Sequence, residues 1–165
     1  MLSSRDEFFD KDIITWREID GLHSKIVIDI YKSEWKPDFI VGIVRGGAIP
    51  GVMISHTMNI PFLPLDIRLR DKLVSNAMGF QHFFDTAVHF TSSQKVLFVD
   101  DINDTSDTFK YIDDSMKSNR SNLIFDYKFA SLYERVSASI ESDYVGKVYT
   151  SDDWLVFPWE NKYAD

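Results

Sequence analysis

Val96-Leu97-Phe98-Val99-Asp100-Asp101-Ile102-Asn103-Asp104-Thr105-Ser106-Asp107-Thr108 is the stretch on which the reading of this chain turns. Its first four residues form an apolar run that suits a strand buried on both faces. That strand delivers two adjacent acids to its carboxyl end. A short turn then offers a third acid and two threonines at the start of a helix expected over about Ser106 to Lys117. Amides at a helix N-terminus bind phosphate, and threonine hydroxyls add donors. Adjacent carboxylates suit Mg²⁺ and ribose hydroxyls. The same residues could also make a solvated turn with helix-capping acids, and spacing alone leaves both readings open.

Outward from this stretch, apolar runs alternate with helical patterns. Thr15-Trp16-Arg17-Glu18 reads as a capping box opening a helix to about Glu34, with Trp16, Ile19, Leu22, Ile26 and Ile30 on one face. Asp38 to Val44 reads as a second buried strand, followed by Gly46-Gly47 and a helix from about Ala48 to Met58. Further strands are expected over Phe62 to Leu69 and near Phe129 to Tyr133. The alternation predicts an α/β fold in one domain over residues 1–165, with a mainly parallel central sheet flanked by helices. Ligands of such sheets bind beyond the carboxyl ends of the strands, where Arg45 and Asp100-Asp101 fall. Residues about 70–94, with Phe80, Phe83, Phe84 and Phe90, read as a hairpin or as a flexible hood over the site.

Composition narrows the function. The net charge of -8 lacks the basic footprint of a nucleic-acid binder. An anionic ligand would therefore have to be met by local donors, helix N-termini or a metal. The absence of cysteine removes disulfides, thiolate metal sites and cysteine nucleophiles. No signal-peptide pattern follows Met1 and no apolar run is long enough for a membrane span, so a cytoplasmic location is expected. The spacing of His23, His56, His82 and His89 suggests no metal site.

Two further segments carry chemistry. Arg45-Gly46-Gly47 ends a strand in residues whose amides can approach an anion closely; by itself this is also an ordinary strand-to-helix turn. Asp152-Asp153-Trp154-Leu155-Val156-Phe157-Pro158-Trp159-Glu160 offers either a stacking face for a base or aromatics that plug the core.

Together, and in this order, the three segments resemble those of type I phosphoribosyltransferases, with motifs nearest the xanthine–guanine (6-oxopurine) enzymes. The resemblance implies that Arg45, Gly46 and Gly47 contact the leaving pyrophosphate. It implies that Asp100 and Asp101 bind the ribose hydroxyls and the Mg²⁺ shell. Asp104, Thr105, Ser106, Asp107 and Thr108 would cradle the 5′-phosphate, with Asp104 also the catalytic base near purine N7. Trp154 and Leu155 would hold the base in a segment over about 129–160, and Arg135, or alternatively Lys128, would donate to the purine 6-oxo group. Ser106 stands where the family usually has glycine. Asp107 is a carboxylate inside a phosphate loop, expected to turn outward. The implied partners are phosphoribosyl pyrophosphate and a purine base, in a dimer or tetramer of the chain. The competing expectation is a non-catalytic phosphoribosyl-pyrophosphate or nucleotide sensor on the same fold.

Overall fold

The computed structural model describes residues 10–67, 83, 94–118 and 125–160. Five parallel strands form the central sheet in the order β3-β2-β4-β5-β6, namely Phe62–Asp66, Phe39–Val44, Gln94–Asn103, Phe125–Arg135 and Tyr144–Tyr149. The β2 run Phe-Ile-Val-Gly-Ile-Val is apolar throughout because both of its faces are covered. Ile40, Leu97, Val99, Ala130 and Leu132 pack into one core. Val41, Ile43, Val96, Phe98 and Phe129 pack into the other.

Helix α1 (Trp16–Lys32) and helix α2 (Ala48–Met58) supply the first core, through Ile19, Ile26, Ile30 and Ile54. Helix α3 (Asp107–Ser118) supplies the second, through Phe109, Ile112 and Met116. The opposite faces follow from chain direction. From β2 the chain crosses by α2 to β3 on one side; from β4 it crosses by α3 to β5 on the other. Right-handed crossovers of opposite direction must place their helices on opposite faces. The reversal lies between β2 and β4, which makes their carboxyl ends the topological switch point.

A second, two-stranded parallel sheet pairs β1 (Lys11–Ile13) with β7 (Trp154–Val156). Neither β1 nor β6 is marked strongly in the sequence. Burial in β1 is nil, so no apolar alternation betrays it. Helix α1 ends at Lys32 rather than Glu34. Its capping box is half formed: Thr15 Oγ1 accepts from the Glu18 amide at 3.2 Å, but the Glu18 carboxylate turns away to the Tyr133 hydroxyl at 2.9 Å. Trp16 is exposed rather than on the buried face, its ring leaning on Trp159 with centroids 5.8 Å apart. His23 takes an inward position instead, with Nε2 3.2 Å from Thr57 Oγ1. Most of the hood segment lies outside the described residues; within it, Phe83 is buried against Phe98 and Phe125. Among the described residues no helix is long and apolar enough to cross a membrane.

Candidate active site at the switch point

Strand β4 runs four residues beyond its apolar core, through Asp100, Asp101 and Ile102 to Asn103. Pairing with β5 carries it there: Asp100 lies opposite Ser131 and Asn103 opposite Glu134. The acids are thus fixed on a sheet rather than on a loop. The turn after β2 comes up against them. A Cβ on Gly46 would overlap the Asp101 carboxylate, and one on Gly47 would overlap the Val99 carbonyl and lie 2.8 Å from Asp100 Cα. Only glycine fits at these two places. The Val44–Arg45 peptide is cis.

Asp101 is buried, and Asp100 is partly buried beside it, with its Oδ1 accepting from the Asp101 amide at 2.9 Å. Among the described residues neither has a basic partner. Burial pushes the Asp100 carboxyl well above the usual carboxylate range, and the neighbouring Asp101 pushes it further. Burial likewise raises Asp101 to about 6, with the charge of Glu160 adding to the effect.

Beyond Asn103 the chain makes the turn expected to cradle phosphate. Ser106 sits at φ 66°, the left-handed conformation that glycine adopts without cost. Here the serine is buried, and its hydroxyl is tied to both sides of one residue: it donates to the Ile140 carbonyl and accepts from the Ile140 amide, each at 3.1 Å. Asn103 Nδ2 donates to the same carbonyl at 2.7 Å and to Glu134 at 2.9 Å, and Glu134 accepts from the Ser142 amide at 2.6 Å. The loop between β5 and β6 therefore anchors the turn. Asp107, expected to turn outward, is exposed. It lines the cavity, and its carboxylate accepts from the Thr105 hydroxyl at 2.8 Å.

These pieces enclose a cavity of about 600 Å³. Arg45, Gly46, Asp100, Asp101, all five residues from Asp104 to Thr108, Arg135, Trp154 and Leu155 line it. Gly47 does not; it is buried against the β4 backbone at Val99 and Asp100. Trp154 is 43% exposed, which leaves ring surface free for a ligand, whereas Leu155 is buried. Lys128 is elsewhere. It pairs with Leu97, short of the strand end, and its ammonium lies over the rings of Trp35 and Tyr144 at 5.2 and 5.1 Å. That occupation removes it as a base-reading residue. Arg135 is at the cavity but already engaged: it donates to Asp104, to the Ser151 carbonyl and to Asp152.

The sequence reading did not single out Tyr149 or Glu160, which also line the cavity, nor the Asn103–Glu134–Ile140 support. Glu160 closes the Pro-Trp-acid segment and was within reach of a motif reading. The others depend on register between strands. Among the described residues no trio of histidine, aspartate or glutamate cages a metal.

Residues 12–165 match the phosphoribosyl transferase domain family. The chain belongs to that family. It is thus a phosphoribosyltransferase. The chain is 29% identical over 132 residues to an adenine phosphoribosyltransferase of Trichodesmium erythraeum, covering 70% of this chain and 76% of that one. It is 25% identical over 157 residues to a xanthine-guanine phosphoribosyltransferase of Desulfotalea psychrophila, covering 93% and 81%. Among solved structures, a purine phosphoribosyltransferase from Pyrococcus horikoshii superposes with a TM-score of 0.69 at 27% identity, over 92% of this chain and 94% of that one.

Two outcomes follow for the transferase without ligand. Acids whose folded pKa is raised bind more protons folded than unfolded, so their contribution to stability falls as pH rises through the window from about 4 to 6. Asp101→Asn should therefore melt above the wild type at about pH 7.5, the gap narrowing toward about pH 4; a constant gap in calorimetric scans would refute the burial account. At Ser106, alanine keeps the left-handed backbone and loses both bonds to Ile140, at a cost of ~1–3 kcal/mol. Glycine loses the same bonds but relieves the backbone. Urea midpoints should rank wild type, then Ser106→Gly, then Ser106→Ala.

Proposed function

We propose that this enzyme transfers the 5-phosphoribosyl group from phosphoribosyl pyrophosphate to a purine base in nucleotide salvage, with Mg²⁺ and with 6-oxopurines preferred. The observation that carries the reading is the meeting, in one cavity, of a glycine turn, a strand-end acid pair, a helix-opening turn and a free tryptophan face. Arg45 and Gly46 are suited to the pyrophosphate. The turn from Asp104 to Thr108, opening α3, is suited to the 5′-phosphate, because first-turn amides have no intrahelical partner. Trp154 is suited to stack on the base. In the reaction the bond from ribose C1′ to the pyrophosphate oxygen breaks, a base nitrogen bonds to C1′, and Asp104 would take the proton near N7. Positioning and electrostatics carry such a step.

The donor set fits Mg²⁺. A buried and a partly buried carboxylate, both with raised pKa values and without a basic partner among the described residues, gain from a cation, and Mg²⁺ is commonly held by one or two carboxylates plus substrate phosphates. Asp100 and Asp101 would hold it, directly or through water. When bound, it would neutralise charge on the departing pyrophosphate.

The relatives are named for both adenine and xanthine–guanine, which supports a purine and leaves the 6-position to Arg135. Its Nε and Nη1 are engaged, and Nη2 makes no bond to any described residue. Arginine carries only donors, so it suits a 6-oxo group and opposes a 6-amino group. The cysteine-free sequence fits a reducing, cytoplasmic setting, and the proposal takes the chain as one domain in a homo-oligomer.

Pyrophosphate release in the presence of phosphoribosyl pyrophosphate, Mg²⁺ and a panel of bases tests the reading. Hypoxanthine, xanthine or guanine should exceed adenine by about tenfold or more in kcat/KM, since a hydrogen bond to a charged group is worth ~1.5–3 kcal/mol. Adenine as best acceptor would overturn the 6-oxo preference alone; binding without turnover would favour the sensor. Trp154→Ala should raise KM for the base and leave affinity for phosphoribosyl pyrophosphate within about threefold, as stacking is worth ~1–3 kcal/mol per base. Replacing Asp100 and Asp101 together with asparagine should abolish turnover and the response to Mg²⁺ while the protein still melts cooperatively.

A further inference from the structure

The carboxylate of Asp104 is held by a side chain from another strand. Arg135, the last residue of β5, donates from Nε to Asp104 Oδ1. From Nη1 it donates to the Ser151 carbonyl at 2.8 Å and to the Asp152 carboxylate at 3.1 Å. The guanidinium carbon lies 4.7 Å from the centroid of the Tyr149 ring, so one of its faces rests on an aromatic. The Arg135 side chain is only 21% exposed, although Asp152 is 92% exposed, so the arginine is the fixed member. Trp154 follows two residues after Asp152, and its amide donates to the Asp10 carbonyl at 2.8 Å. One guanidinium thus connects the β4–α3 turn, the end of β6 and the turn that presents the tryptophan.

We propose that Arg135 is a positioning residue, whose guanidinium ties the Asp104 carboxylate to the Ser151–Asp152 turn so that the acid and the Trp154 stacking face are held as one unit. This deepens the transfer reading above and rests on it for its kinetic consequence. The chemistry of the side chain suits the role. A planar fork can hold two partners in fixed directions while stacked on a ring, and a lysine ammonium, a point charge on a flexible stem, cannot. The acid is thereby aimed, and a base stacked on Trp154 is set at a fixed distance from it. Misplacement of a reacting group by about 1 Å can cost on the order of 10²-fold in rate.

A double-mutant cycle with a structural readout tests the proposal. Arg135→Gln should lower kcat on the order of 10²-fold in the otherwise wild-type enzyme, with affinity for phosphoribosyl pyrophosphate changed less than about threefold. In an Asp104→Asn background the same change should lower kcat by no more than about twofold, because residues acting as a unit are not additive. Arg135→Lys should recover part of kcat, and Asp152→Asn should raise KM for the base more than it lowers kcat. Independently of activity, amide hydrogen exchange over residues 151–154 should be faster in Arg135→Gln than in wild type. Additive losses in the cycle would show that Arg135 affects kcat independently of Asp104 and would overturn its positioning role. Unchanged exchange would overturn the tether. Failure of the wild type to release pyrophosphate with any purine would instead overturn the transfer reading, and the exchange comparison would still decide the tether.

Discussion

The close approach of the β2 turn to the end of β4 is the constraint on which the site depends. Gly46 leaves no room for a Cβ between itself and the Asp101 carboxylate, and Gly47 none between itself and the β4 backbone. This contact is possible because β2 and β4 are hydrogen-bonded neighbours with Phe39 opposite Val96 and Gly42 opposite Val99. Their crossovers leave in opposite directions, so the crevice above them stays open. A larger side chain at either glycine would wedge the turn away from the acids. The sheet fixes where the acids are, and the glycines fix how close the anion-facing backbone comes to them.

The same contact sets the electrostatics. Pressing a turn onto Asp100 and Asp101 removes water from them without supplying an ion pair among the described residues, and their raised pKa values follow. A site of this kind is destabilising when empty and is relieved by a ligand that brings cations or hydroxyl donors. Stability is given up at the point where binding is needed, as is common at functional sites. Ser106 shows a different local conflict, since a residue with a Cβ holds the left-handed turn. Its hydroxyl offsets the backbone cost with two bonds to Ile140 that glycine could not make. The departure from the family pattern is thus tied to a neighbouring loop and does not leave the turn unsupported.

The fold was legible where the sequence carries unbroken apolar runs. The strands β2 and β4, the helix starting beside Thr15 and the helix after Gly47 all stand near their expected places, because burial on two faces or one face leaves a pattern in residue type. Strand β1 was not legible, since it is exposed and is held by backbone pairing to β7. The site was legible as motifs and opaque as contacts. Glycines, paired acids and an aromatic segment could be read in order along the chain. That Glu18 bonds Tyr133, that Lys128 is spent on Trp35 and Tyr144, and that Arg135 is engaged by Asp104 depend on registers that residue type does not encode.

Charge gives the last step of the synthesis. Among the described residues the cavity is lined by the acids Asp100, Asp101, Asp104, Asp107, Asp153 and Glu160 against two arginines, Arg45 and Arg135, and the second of these is already paired. Side-chain charge alone would repel a polyphosphate. On the proposed function, directed donors that act at short range would hold one: the amides opening α3, the close backbone at Gly46, and the hydroxyls of Thr105 and Thr108. The Thr105 hydroxyl is turned to Asp107 in this structure, so a phosphate in the turn has to compete with that carboxylate for it. The acids then serve a different purpose from attraction. On the proposed function they would hold the cation that accompanies the phosphates and disfavour anions that arrive without one.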